Sequence, residues 1–124
     1  MDKQEVSIEE KVKAVFEWAG FKIDSLAGTM AWFTPDMYVV NSKQGFGKLP
    51  IPDDIEFLGY MDKYLFKKLQ DDGYLITLEA KPNEHEYNAE LHNVDRGGVK
   101  YSVYQESAGI ALLNAIYEVI DVHK

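Results

Sequence analysis

The chain contains no cysteine, a single arginine (Arg96) and no long apolar run, and each absence removes a class of answers. Without cysteine there is neither a disulfide framework nor a thiolate metal site, a composition at ease in a reducing compartment. With one arginine, the planar fork that grips phosphate or guanine in two places is nearly missing. The other twelve of the 13 basic residues are lysines spread along the sequence, and the net charge is −8. Both facts disfavour direct binding to nucleic acid or to anionic lipid, which need a concentrated basic patch. No stretch approaches the ~20 apolar residues that span a bilayer, and Met1-Asp2-Lys3-Gln4-Glu5 lacks the basic start and apolar run of a signal peptide. The expectation is a soluble protein of the cytoplasm that does not touch the membrane.

What remains is an ordinary globular composition. A chain of 124 residues with 46% hydrophobic and 13% aromatic content fits one domain spanning 1–124, long enough to bury about two-thirds of its unfolded surface. Ser7 and Glu10 have capping-box spacing, Ile8, Val12, Val15, Phe16 and Ala19 recur at helical intervals, and Gly20 offers a stop. This predicts a helix over 8–19. Extended segments follow at Thr29–Thr34 and Met37–Val40, separated by the turn-favouring Pro35-Asp36, and read as a hairpin.

The stretch 42–52 holds two glycines and two prolines and is irregular. Irregular segments on a rigid scaffold are where binding tends to sit. Asp53 and Glu56 repeat the capping pattern. Ile55, Leu58, Met61, Leu65 and Leu69 mark one face of a second helix that ends before Gly73. Gly59 inside it predicts a close approach to a neighbouring element.

From Gly73 the pattern is strand, turn at Lys81-Pro82-Asn83, strand, tight turn at Asp95-Arg96-Gly97-Gly98, strand, helix. Tyr87, Ala89 and Leu91 alternate with Glu86, Asn88, Glu90 and His92, and Val99, Tyr101 and Val103 continue the apolar face. Ser107 caps a last helix with a wide apolar face of Ala108, Ala111, Leu112, Ala115, Ile116 and Val119. The expected fold is α+β: mainly antiparallel sheet with packed helices in the order αβ(β)αβββα, a two- or three-layer sandwich.

This arrangement resembles the phage ABA-sandwich domain proteins, small chains encoded by phages and prophages. The elements that carry the resemblance are Glu10-Lys11-Val12, Leu49-Pro50-Ile51-Pro52-Asp53-Asp54-Ile55, Gly73-Tyr74, Tyr87 to Asn93 with Gly97-Gly98, and Ser107 through Ala111-Leu112 to Asn114-Ala115. The chain departs from that pattern at Gly109, where the family has proline, and at Leu113-Asn114, where it has Cys-Arg. The loss of that arginine implies the loss of any anion it would hold. The family supplies context and no general activity.

No residue set specifies a reaction. Gly45-Phe46-Gly47-Lys48 lacks the glycine spacing, the Lys-Ser/Thr pair and the following helix of a phosphate loop. As a ligand or partner loop it would use Phe46 as anchor and Lys48 as charge. Glu86, Glu90 and His92, with His85 near in sequence, share a strand face, but a metal site needs convergence and a second shell. The five serines sit outside any nucleophile elbow. Lys100 and Tyr104 lie opposite the apolar face of the last strand, available to a contact surface.

The reading that follows is a non-enzymatic phage or prophage accessory protein without cofactor, metal or catalytic residues. It binds a host protein or a small ligand in the host cytoplasm, as a monomer or homo-oligomer, with interference in bacterial defence as one concrete form. Its candidate binding residues are Phe46, Lys48, Lys100 and Tyr104. One alternative is an acidic module that masks a nucleic-acid-binding surface through a stripe of Asp53, Asp54, Glu56, Asp71 and Asp72; another is a small metal-dependent hydrolase.

Overall fold

Ser7 opens the first helix, α1 (Ile8–Trp18), by accepting the Glu10 N–H on its hydroxyl at 3.1 Å. The computed structural model describes residues 6–80, 86–94, 99–105 and 107–122, with the backbone alone for 99–105 and 121–122. The turn expected at 81–83, the hairpin signal at 95–98 and His85 lie outside the described residues. At the far end of α1, Gly20 adopts a φ of 103° and donates to the Glu17 carbonyl, while Phe21 donates to Phe16, both at 3.0 Å. This pair of bonds is a Schellman stop, and its hydrophobic contact is present: the Phe16 and Phe21 rings lie 4.7 Å apart.

The hairpin that follows is β1 (Lys22–Leu26) against β2 (Thr29–Phe33), with Leu26 opposite Thr29. Its two turn residues, Ala27 and Gly28, both have positive φ (51° and 82°), the requirement of a type I′ turn. The sequence placed the hairpin eight residues later, around Pro35-Asp36. A turn does stand there, but Met37–Val40 forms only a bridge from Val39 to Phe33, with Thr34 donating to the Tyr38 carbonyl at 2.7 Å. Proline has no N–H to give a ladder, and Met37 closes this three-residue loop in the left-handed region, φ 72°.

Residues 55–71 form a continuous helical rod: α2 (Ile55–Tyr60), a π-helical turn (Met61–Leu65) and α3 (Phe66–Asp71). Phe57, Met61, Leu65 and Leu69 are all fully buried, a strict spacing of four. In an α-helix such a row drifts by ~40° per step. The π turn, in which the Phe66 N–H reaches back five residues to Met61, winds less per residue and takes the drift back. The expected face is therefore corrected at its start: Ile55 is 82% exposed and Leu58 is exposed, while Phe57 is the core residue. The space beside Gly59 is open, so the expected close approach does not occur there.

Close approach occurs instead at Gly109. A β-carbon there would run into the Pro52 carbonyl oxygen, so the first turn of α4 (Ala108–Val122) must be bare where the 42–54 segment crosses it. The second sheet has the order β3 (Tyr74–Ala80), β4 (Tyr87–Asn93), β5 (Val99–Gln105), antiparallel throughout. α4 packs on β4 and β5, α1 packs on α4, and α3 lies beside β3. The expected α+β class and element order hold, with β1 and β2 both formed.

Alternation along β4 holds from Ala89 to His92, while Asn88, expected on the outward face, is buried; Ala89 and Leu91 enter a core shared with Val15, Phe16, Leu112, Leu113 and Ile116. At about 25 cal/mol per Å² such burial dominates the stability. Leu75, Thr77 and Glu79 on the opposite face are exposed. Asn114, at the position where the resemblance expects arginine, accepts the Lys11 ammonium at 2.8 Å and ties α1 to α4.

Candidate functional site

The segment from Thr34 to Asp54 has little regular structure and is held by side chains. Thr34 is buried; its hydroxyl donates to Asp36 Oδ1 at 2.6 Å and accepts the Tyr38 N–H at 2.9 Å. Two tyrosines of the rod complete the clamp. Tyr64 donates its hydroxyl to Asp36 Oδ1 at 2.7 Å, and Tyr60 accepts the Asn41 N–H at 2.7 Å. Their rings are stacked at 6.2 Å and both meet Phe21 edge-on, so the clamp is rooted in the core. The Thr34 and Tyr64 hydroxyls, with smaller help from its own N–H and from Lys63, hold the Asp36 carboxyl below the ordinary aspartate value, against a partial desolvation.

What this clamp displays is apolar. Met37 is 64% exposed, Tyr38 66% and Phe46 59%, and Val39 is exposed beside them. Behind the tip, Thr34, Tyr38, Val39, Asn41, Glu56 and Tyr60 line a groove of about 340 Å³. Glu56 and Lys63 bring one charge of each sign to its walls; one Glu56 oxygen, Oε1, is shut from solvent and has no hydrogen-bond partner. A second hollow, lined by Val39, Val40, Asn41, Ser42, Gly45 and Phe46, continues the surface along the loop.

The loop itself is fixed by Asp54. The sequence expected Asp53 to cap the second helix; the residue at the cap is Asp54, and it makes no side-chain cap bond. Its buried carboxylate takes the Gln44 side-chain amide at 2.9 Å and the Ile51 N–H at 3.2 Å, closing the loop on itself. Asp53 accepts from Ser107 at 2.9 Å and so joins the loop to the start of α4. Ser107 also accepts the Ile110 N–H, as a cap should.

Of the residues expected to bind, Phe46 and Lys48 line different hollows. Lys48 belongs to a groove of about 340 Å³ with Glu9, Lys13, Trp32 and Gln44. Lys100 and Tyr104 occupy β5 positions opposite His92 and Asn88, on the sheet. The acids expected to form a stripe are separated: Asp54 is buried, Asp53 is engaged with Ser107, and Asp71 and Asp72 sit at the other end of the rod among Lys63, Lys67 and Lys68. Glu90 stands between Thr77 and Ser102, and His92 between Leu75 and Lys100. Among the described residues no group of three or more His, Asp or Glu side chains is placed to hold a metal ion.

The sequence reading missed Met37–Val39 as a display. Pro35-Asp36 was the available signal: a turn between apolar residues, too short for both sides to be strands. Compared with family models, with curated proteins and with solved structures, the chain matches none. No helix among the described residues is long and apolar enough to cross a membrane.

Proposed function

We propose that the protein is a non-enzymatic binding protein, a phage or prophage accessory protein in kind, that takes hold of a host protein with the Met37–Tyr38–Val39 tip. The observation that carries this reading is the tip: three apolar side chains held out in water, one on a left-handed backbone, by hydroxyls anchored in the core. Strain of this kind costs roughly 1–3 kcal/mol and persists where surrounding structure enforces it, often at sites of function. An exposed apolar cluster with an aromatic at its centre is the usual make-up of a protein contact.

The partner's chemistry follows from the groove. It offers an apolar segment to Tyr38, Val39 and Phe46. A basic partner also suits a chain of net charge −8. Interference with a defence protein is one form such binding would take.

A photoreactive phenylalanine analogue installed at Tyr38, with one at exposed Glu118 as control, tests this in the native host. The expected result is one covalent adduct from position 38, lost when Phe46→Ser is added and not seen from position 118. Equal adducts from both positions, or an adduct indifferent to Phe46, would reject the tip as the contact.

A further inference from the structure

The outer edge of β3 is a surface of a different kind. β3 ends the sheet order β3-β4-β5, and among the described residues no strand pairs with its outer side. Natural edge strands are blunted by charged side chains, lysine above all, by proline, bulges or short length. β3 has no lysine, proline or bulge and carries only Glu79: its seven residues, Tyr-Leu-Ile-Thr-Leu-Glu-Ala, pair with β4 in unbroken register. Residues 75 and 77–80 are exposed, including Leu75 at 58%. The other edge, β5, does contain a lysine.

The hydrogen-bond phase of the edge is readable. Val94 donates to the Gly73 carbonyl at 2.9 Å, which makes 73 and 94 a bonded pair one step beyond Tyr74↔Asn93 in the register. Alternation then turns the backbone groups of Leu75, Thr77 and Glu79 toward β4 and those of Ile76, Leu78 and Ala80 outward. An antiparallel strand that meets this edge must present its own outward set at the same phase.

A second copy of β3, related by a two-fold axis through Thr77, does so over all seven residues. Ile76 then faces Leu78 of the other copy in a bonded pair, Thr77 faces Thr77, and Leu75 faces Glu79. The apolar pair falls on the helix-covered side, where Leu78 is otherwise 44% exposed. The threonine pair is one that cross-strand packing favours. Glu79, the one charge in the strand, is kept about 13 Å from its own copy, two residues on either side of the axis. A strand that is its own complement in phase, polarity and charge needs no other partner. We infer that the protein forms a homodimer by antiparallel pairing of β3 with β3, joining two three-stranded sheets into one of six strands. This dimer does not depend on the tip.

The absence of cysteine makes the test direct. Residue 77 faces itself in a non-bonded pair, with Cα atoms about 4.5 Å apart, within the disulfide range of about 4.4–6.8 Å. In the full-length chain, Thr77→Cys is expected to give a covalent dimer under mild oxidation at least tenfold faster than Glu79→Cys, whose thiols lie far apart. Native mass spectrometry should show a dimer for the unmodified chain. Thr77→Lys, at an exposed position, should shift it to monomer with a cooperative thermal transition whose midpoint no longer rises with protein concentration as the parent's does. A monomer at every concentration tested, or a dimer in which Thr77→Cys crosslinks no faster than Glu79→Cys, would overturn the proposal.

Discussion

The β3–β4–β5–α4 region and the Thr34–Asp54 segment are both ordered, yet different forces order them. In the first, Ala89, Leu91, Leu112, Leu113 and Ile116 are buried, and order follows from apolar area removed from water. In the second, only Val40, Pro50 and Pro52 are apolar residues buried in this way, and the rest of the order comes from a few hydrogen bonds: Thr34 and Tyr64 to Asp36, Tyr60 to Asn41, and Asp54 to Gln44 and Ile51. Apolar side chains there are left in solvent, Met37 and Phe46 among them. A segment held by polar pegs is able to expose its apolar groups, because its shape does not depend on burying them. This difference leads us to place binding in one region and stability in the other.

The strongest way to break the comparison is at the seam where the regions meet. Gly109→Ala drives a methyl group into the Pro52 carbonyl, and the contact is backbone on both sides. Overpacking of this kind costs about 1–3 kcal/mol or more. Urea denaturation should show a loss of that size, and a variant as stable as the parent would mean that the two segments do not press on each other.

Removing the pegs should have a smaller and local effect. Tyr60→Phe and Tyr64→Phe each delete one hydroxyl at the rim of the core, with a global cost near ~1 kcal/mol. Amide exchange at residues 36–41 should accelerate while protection in β4 and α4 stays as it is. If β4 loosens equally, the clamp belongs to the core and the distinction fails.

The smallest effect is set by pH. Asp36 has its folded pKa depressed, so its contribution is complete above the unfolded value of about 3.9 and is lost as pH falls through the lower folded value. A carboxyl titration followed by NMR should place Asp36 below other exposed aspartates, and Thr34→Val should return it toward them. An unshifted Asp36 in the parent would show that the Thr34 and Tyr64 bonds do not persist in solution.

Sequence patterns made the first region legible because burial on one sheet face or one helix face leaves a period. The alternation over 86–93, the Ser107 cap and the apolar row of α4 were all readable. The second region follows no period. That Asp54 would hold a loop, or that Met37 would take a glycine's conformation, depends on partners ten to thirty residues away. The rod 55–71 falls between the two cases. Met61, Leu65 and Leu69 were read correctly, while Ile55 and Leu58 were assigned to the core in place of Phe57, because a 3.6-residue period was extended across a turn that does not keep it.

That turn also limits how the chain can vary in length. A π turn holds one residue more than the α-helical path it replaces. Deleting a single residue within Met61–Leu65 removes that extra residue and lets the rod close into a continuous α-helix with α3 left nearly in place. A deletion in the regular turns on either side has no such reserve: everything beyond is turned by ~100° about the axis. Leu69 would then leave the core, and the connection through Gly73 would deliver β3 at the wrong angle to its sheet.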